Sequence, residues 1–329
     1  NKDIKMKRIF LTIFLLGSII AQTPVKMTGL HEAEYFDLKS KSVDETFRIF
    51  VAKPFPLEPD KKYPVIYVLD GNGLFGMAMD SQRMMALGSE VPPAYIIGIG
   101  YAVDNGWTET MVKRWRDYTP TPGGELEAIT KVSLDPTGTV EGGGGSDFLK
   151  FLQEELKPLI ESNYSVDPND ATIAGISLGG LFPSWVLLNQ PETFQRYVII
   201  SPSIWWNQEE VWKWESHFAQ NHNDINAKVF VTAGGLETSE ELKKIIQQVL
   251  NAGGPMAEMY KNIAKAYDKY GWPKMAEITP VFVDKLKLRG YKNLKIHCHN
   301  MPDETHTSVA AGALSRGLRY VFDHWDPNQ

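Results

Sequence analysis

Cysteine is nearly absent: Cys298 is the only one in 329 residues. That excludes an intrachain disulfide and any zinc or iron–sulfur site built on clustered cysteines. A basic excess is missing too. Lys and Arg number 34 against 40 Asp and Glu, a net charge of −6. Such a balance leaves no electrostatic footprint for nucleic acid, whose phosphates require clustered cations. Nor does any apolar run reach the length of about 20 residues that spans a bilayer. What remains, 43% hydrophobic and 22% charged residues, is the mixture of a globular chain rather than a disordered or fibrous one. No internal repeat is visible, and the only low-complexity stretch is Gly142-Gly143-Gly144-Gly145.

The N-terminal stretch follows a different logic. Met6-Lys7-Arg8, the apolar run Ile9–Leu16 and the small residues up to Ala21 come in the order of a secretory signal. Residues 1–21, with 1–5 ahead of Met6, are expected to be removed near Ala21. Residues 22–329 are then expected to act outside the cytoplasm, in the periplasm or medium, as one domain. No cysteine stands at the cleavage point, so neither lipid anchoring nor stable membrane insertion is expected.

Two short β-rich runs, Tyr35–Leu38 and Thr46–Ala52, predict an opening antiparallel hairpin. Tyr63–Gly71 and Ala94–Ile99 are almost continuously apolar, the habit of strands buried on both faces of a parallel sheet. Thr172–Ile176, Tyr197–Ser201, Val229–Ala233 and Leu294–His299 repeat the pattern. Helical stripes fall between them, at Asp147–Asn163, from Gly179 to Leu188 and at Val309–Trp325. This alternation predicts an α/β fold, a mostly parallel central sheet with helices on both faces. Two segments interrupt it: a long loop, 103–146, and a helical insertion, 239–289.

Gly175-Ile176-Ser177-Leu178-Gly179 lies between a predicted strand and a predicted helix, the context in which Gly-x-Ser-x-Gly forms a nucleophile elbow. The turn is too tight for bulky neighbours. It lifts the Ser177 hydroxyl above the sheet edge and aims the Leu178 N–H at a developing oxyanion. A serine needs a base, and the base an orienting acid, which in α/β hydrolases follow in the order Ser, Asp/Glu, His. His306, in a polar loop after the last strand, is the candidate base. Glu237, just past Val229–Ala233, is the candidate acid, with Asp303 and Glu304 as alternatives and a Ser–His dyad as another. Glu237 also stands where a helix N-terminus would place it for capping alone. The loop after the first buried strand offers the second oxyanion donor, the Asn72 N–H or that of Gly71, with Asp70 holding the loop. His297 and His299 share a strand face, but no third ligand accompanies them, so no metal is expected.

With these residues in view, the chain resembles the esterase D and enterobactin-esterase-like branch of the α/β hydrolases, siderophore trilactone esterases above all. The likeness rests on Tyr63–Gly71, Arg114–Pro120, Phe148–Pro158, Gly175–Phe182, Ser201–Trp206 and His306–Ser308, and spans about residues 30–325. It implies carboxylic-ester hydrolysis through an acyl-enzyme with no cofactor. It also implies a substrate pocket lined by Arg114 or Arg116, Trp205 and Trp206. Core packing of the tryptophans, and an ion pair of the arginines with Asp117, are the structural alternatives. Siderophore, feruloyl, acetyl and generic esters, small or linked to polysaccharide, all suit such an enzyme. Acyl transfer on the same fold and a non-catalytic binding module are the rival functions.

Overall fold

Val65, Tyr67 and Leu69 bury on one face of a strand while Ile66 and Val68 bury on the other. With a period of two, a strand of this kind must lie between two layers. The computed structural model describes residues 25–26, 32–103, 106–124, 127, 141–271 and 273–323, so the expected leader, 1–21, lies outside the described residues. The strands are β1 (Val25–Lys26), β2 (Ala33–Lys39), β3 (Thr46–Ala52), β4 (Tyr63–Leu69), β5 (Tyr95–Tyr101), β6 (Val166–Ile176), β7 (Arg196–Ile200), β8 (Ala227–Thr232) and β9 (Leu294–Cys298). They form one sheet in the order β1-β2-β3-β5-β4-β6-β7-β8-β9. β1 to β3 and the β3–β5 pair are antiparallel. From β5 through β4, β6, β7 and β8 to β9 all strands run parallel, so the loops leaving β4, β6, β7, β8 and β9 emerge along one edge.

Two helices, α1 (Gly71–Leu87) and α9 (Val309–Val321), cover one face, packing Phe75, Met79, Leu314 and Leu318 against Ile66, Val68, Ile96 and Val198. The other face carries α2 (Trp107–Asp117) and α3, whose consecutive stretches are Gly145–Lys150, the π-helical Phe151–Leu156 and Lys157–Asn163. It also carries α4 (Leu178–Leu187), α5 (Val211–Asn221) and α8 (Met275–Leu288). Phe148, Phe182, Phe218 and Phe282 anchor this layer in the larger core. Between β8 and α8 stand α6 (Ser239–Ala252) and α7 (Pro255–Tyr270), packed on each other.

The structure departs from the sequence expectations in three places. The segment expected as loop, 103–146, contains α2, whose polar, arginine-rich sequence hides it from an apolar-stripe reading. Of the helices expected as an insertion, α8 buries Ile278, Phe282, Val283 and Leu286, which makes it the ordinary crossover from β8 to β9. β6 begins at Val166 rather than Thr172: Val166 pairs with Tyr63, and the ladder resumes at Ala171 opposite Val65 after a shift of register across the polar residues Asp167–Asp170.

Glu155, 5% exposed, ties α3 to the β2–β3 turn. Its carboxylate accepts from the Ser40 hydroxyl (3.2 Å), Lys41 N (3.0 Å) and Ser42 N (2.9 Å). Burial pushes its pKa up, but these donors outweigh burial and hold it below the ordinary carboxylate value. A depressed carboxylate stabilises the fold above its unfolded pKa, and that stabilisation is lost as pH falls through the folded one. Glu155→Ala is expected to lower the unfolding free energy by about 1–3 kcal/mol at pH 7, measured by urea denaturation. The wild-type advantage should shrink when the titration is repeated in acid.

Candidate active site

Ser177 sits where β6 turns into α4, with φ 63° and ψ −122°. Backbone in this region is strained for any residue with a Cβ and persists only where its surroundings impose it. The surroundings here are glycine and backbone. A Cβ on Gly175 would lie 2.0 Å from the Gly179 carbonyl oxygen, and one on Gly179 would lie 2.9 Å from an Asp70 carboxylate oxygen. Ser177 N donates to Ile200 O (3.0 Å), and the Ser177 carbonyl accepts from Gly180 N and Leu181 N (both 2.9 Å) and Ser203 N (3.0 Å). The Leu178 and Gly179 N–H groups, in the first turn of α4, have no intrahelical acceptor and stand at the positive end of the helix. The Ser177 hydroxyl lies 3.4 Å from that of Ser203.

The loops after β8 and β9 are laced together. Met301 N donates to Ala233 O (2.9 Å), Gly235 N to Met301 O (2.6 Å) and Leu236 N to Glu304 O (3.0 Å). This lacing carries Glu237 to His306, with Glu237 Oε2 2.6 Å from His306 Nδ1. The other oxygen, Oε1, accepts from the Ser201 hydroxyl (2.5 Å) and Gly234 N (2.7 Å). Glu237 is 7% exposed and His306 40%, an enclosed carboxylate behind an imidazole that solvent and ligand can reach. Asp303 is exposed, and the carboxylate that meets the ring is that of Glu237. His297 and His299 stack on the exposed face of β9, their centroids 6.4 Å apart. Among the described residues no group of three His, Cys, Asp or Glu is arranged to hold a metal.

Beneath the elbow lies a buried ion pair. Arg114 grips Asp70 with both ends of its fork, Nε to Oδ1 at 2.6 Å and Nη2 to Oδ2 at 2.9 Å. The same Nη2 donates to Ile176 O (3.2 Å), one residue before Ser177. Both side chains are 4% exposed. Arg114 is thus a brace below the elbow, not pocket lining, and its partner is Asp70 rather than Asp117. Arg116 is the arginine that pairs with Asp117, at 2.6 Å. Trp206 is fully buried and donates to Thr121 O (2.8 Å), which makes it core. Trp205 is only half-buried, and its ring Nε1 is enclosed without a hydrogen-bond partner. Asn72 spends its side chain on the end of β5, Nδ2 to Tyr101 O (3.0 Å) and Oδ1 from Tyr101 N (2.7 Å). Those bonds fix the first turn of α1, in which Gly71 and Asn72 bring their N–H groups to the same sheet edge as Ser177. Two residues at the site escaped the sequence reading, Ser201 and Ser203. Their signal was a Ser-Pro-Ser directly after a strand whose end lies beside the elbow.

The sequence model described as "Putative esterase" matches residues 40–274. The chain belongs to the putative esterase family. The esterase is 39% identical over 210 residues to the ferri-bacillibactin esterase BesA of Bacillus subtilis (strain 168), covering 61% of this chain and 69% of that one. It is 31% identical over 322 residues to the siderophore triacetylfusarinine C esterase of Aspergillus fumigatus, covering 93% and 98%. The crystal structure of the BES protein from Bacillus cereus superimposes with a TM-score of 0.69 at 29% identity, covering 91% of this chain and 99% of that one. The fold is that of the α/β hydrolases, and the esterase is a carboxylic ester hydrolase.

Proposed function

We propose that this esterase is exported and cleaves ester linkages of siderophores through an acyl-enzyme on Ser177. The 2.6 Å contact between Glu237 and His306, at the sheet edge where Ser177 stands, carries the reading. The relatives, a ferri-bacillibactin esterase and a siderophore triacetylfusarinine C esterase, support the substrate class.

In this mechanism the Ser177 hydroxyl oxygen attacks the ester carbonyl while His306 Nε2 takes its proton. Glu237 accepts from His306 Nδ1–H, which fixes the tautomer that leaves Nε2 free as a base and stabilises the imidazolium that forms. The N–H groups of Leu178 and of Asn72 or Gly71 hold the tetrahedral oxyanion, each worth roughly 3 kcal/mol of barrier. Collapse expels the alcohol with the proton from His306. Water, deprotonated by the same imidazole, then releases the acid and restores Ser177. Each step is acyl chemistry that these side chains and N–H groups supply by themselves.

Glu237→Gln is expected to lower kcat by about 10⁴, because an amide favours the wrong imidazole tautomer. Steady-state turnover of p-nitrophenyl acetate measures it. The substrate class is tested by following hydrolysis of a catecholate trilactone, methyl ferulate and acetylated xylan by mass spectrometry. Preferred turnover of the trilactone is expected, and preference for ferulate or xylan overturns the siderophore reading. Among the described residues no helix is long and apolar enough to cross a membrane. Fractionation of the full-length chain with intact-mass measurement tests export and cleavage near Ala21.

A further inference from the structure

Ser201 follows the last residue of β7 and adopts φ 39°, a left-handed bend that glycine enters freely and serine does not. It is fully buried. A serine kept at such a point, where glycine would relieve the strain, implies that its side chain has work to do. Its hydroxyl donates to Glu237 Oε1 at 2.5 Å, while its N–H donates to Thr232 O at 2.7 Å, fastening the bend to β8. The residues on either side hold the nucleophile turn. Ile200 O accepts from Ser177 N, and Ser203 N donates to Ser177 O, each at 3.0 Å. A single bend, 200–203, therefore grips the elbow by its backbone and the acid by one hydroxyl.

We propose that Ser201 is a positioning residue for ester hydrolysis: its hydroxyl pins one oxygen of Glu237 so that the other is aimed at His306, in register with Ser177. A carboxylate on a loop is free to turn about its last torsion, which is broad and roughly two-fold. With Gly234 N as its remaining donor, Glu237 would lose the second fixed point that sets the plane of its carboxylate. Ser201 is buried behind Glu237 and acts through it. This inference rests on the assignment of Glu237, His306 and Ser177 above.

Ser201→Ala and Ser201→Gly both remove the hydroxyl, and glycine also relieves the bend, so at least one of them folds if strain is limiting. Both are expected to lower kcat about tenfold with KM unchanged, the scale of one hydrogen bond to an ionised group. Both should also shift the low-field proton resonance of His306 Nδ1–H. A glycine variant with wild-type kcat and an unmoved resonance overturns the proposal. In a Glu237→Ala background, Ser201→Ala is expected to cost nothing further, since its only route to the chemistry is gone. A fully additive loss shows a merely structural role and overturns it too. The underlying assignment fails separately: it falls if Glu237→Ala alone keeps wild-type kcat. Wild-type kcat in both Ser201 variants beside an impaired Glu237→Ala refutes only the role of Ser201.

Discussion

Ser177→Ala is expected to fold as the wild type does and to lose about 10⁶ in kcat, the scale found when the nucleophile of a triad is removed. The fold should survive because alanine meets the same φ of 63° with the same Cβ, so the strain of the turn is unchanged. The backbone bonds that hold the turn, from Ser177 N to Ile200 O and from Ser203 N to Ser177 O, do not involve the hydroxyl. What disappears is the covalent route. The oxyanion donors and substrate binding persist, so a residual rate above that in water should remain. Turnover of p-nitrophenyl acetate, with fluorophosphonate labelling followed by intact mass, measures both. Substantial activity or labelling in the variant would place the nucleophile elsewhere.

Arg114→Met is expected to destabilise the protein by about 3–5 kcal/mol, because it leaves Asp70 charged and unpartnered in the interior. The side-chain volume is nearly preserved, so the loss reports the charge rather than a cavity. Burial alone would push the Arg114 pKa down, but Asp70 beside it overrides burial and raises it, so the guanidinium remains charged wherever the fold persists. Removing both partners, Asp70→Asn with Arg114→Met, should recover much of the loss, since neither charge is then stranded. Urea titrations of the two single variants and the double variant at pH 7 check this. Activity should follow a different course. Arg114 also holds Ile176 O at 3.2 Å, and Gly179 lies against the Asp70 carboxylate, so a double variant restored in stability should still show reduced kcat. Recovery of both together would mean that the pair supports the fold without shaping the elbow.

The strands most plainly legible in the sequence are those buried on both faces, β4, β5, β7, β8 and the apolar second half of β6, while the β2–β3 hairpin shows as two short β-rich runs. Burial on both sides admits no alternation, so the apolar runs of the former are unmistakable. α2 was hidden for the opposite reason. Arg114 is satisfied by Asp70, and Arg116 by Glu45 as well as by its neighbour Asp117, and no local pattern announces the two distant partners. α8 was visible as a helix, but its place in the sheet layer was not, because an apolar face does not name what it packs against. The glycines of the elbow were legible because a strand–turn–helix leaves no room for a Cβ at Gly175. The division of labour between Arg114 and Arg116, and between Trp205 and Trp206, was not.

By itself the sequence determined the fold class, through the period of its apolar residues, and the place of the elbow, through glycines whose reason is local and steric. The order of Ser177, Glu237 and His306 along the chain was also readable, because in a parallel sheet chain order constrains which loops share an edge. Only the tertiary structure decided that Glu237, rather than Asp303 or Glu304, meets the imidazole, and that Asp70 and Arg114 lie beneath the turn at Ser177. The same holds for the buried Ser201 that pins the carboxylate. Contacts of this kind join residues 36 to 69 positions apart. Their geometry is set by strand register and loop lacing, which many sequences with the same pattern of polar and apolar residues would satisfy differently.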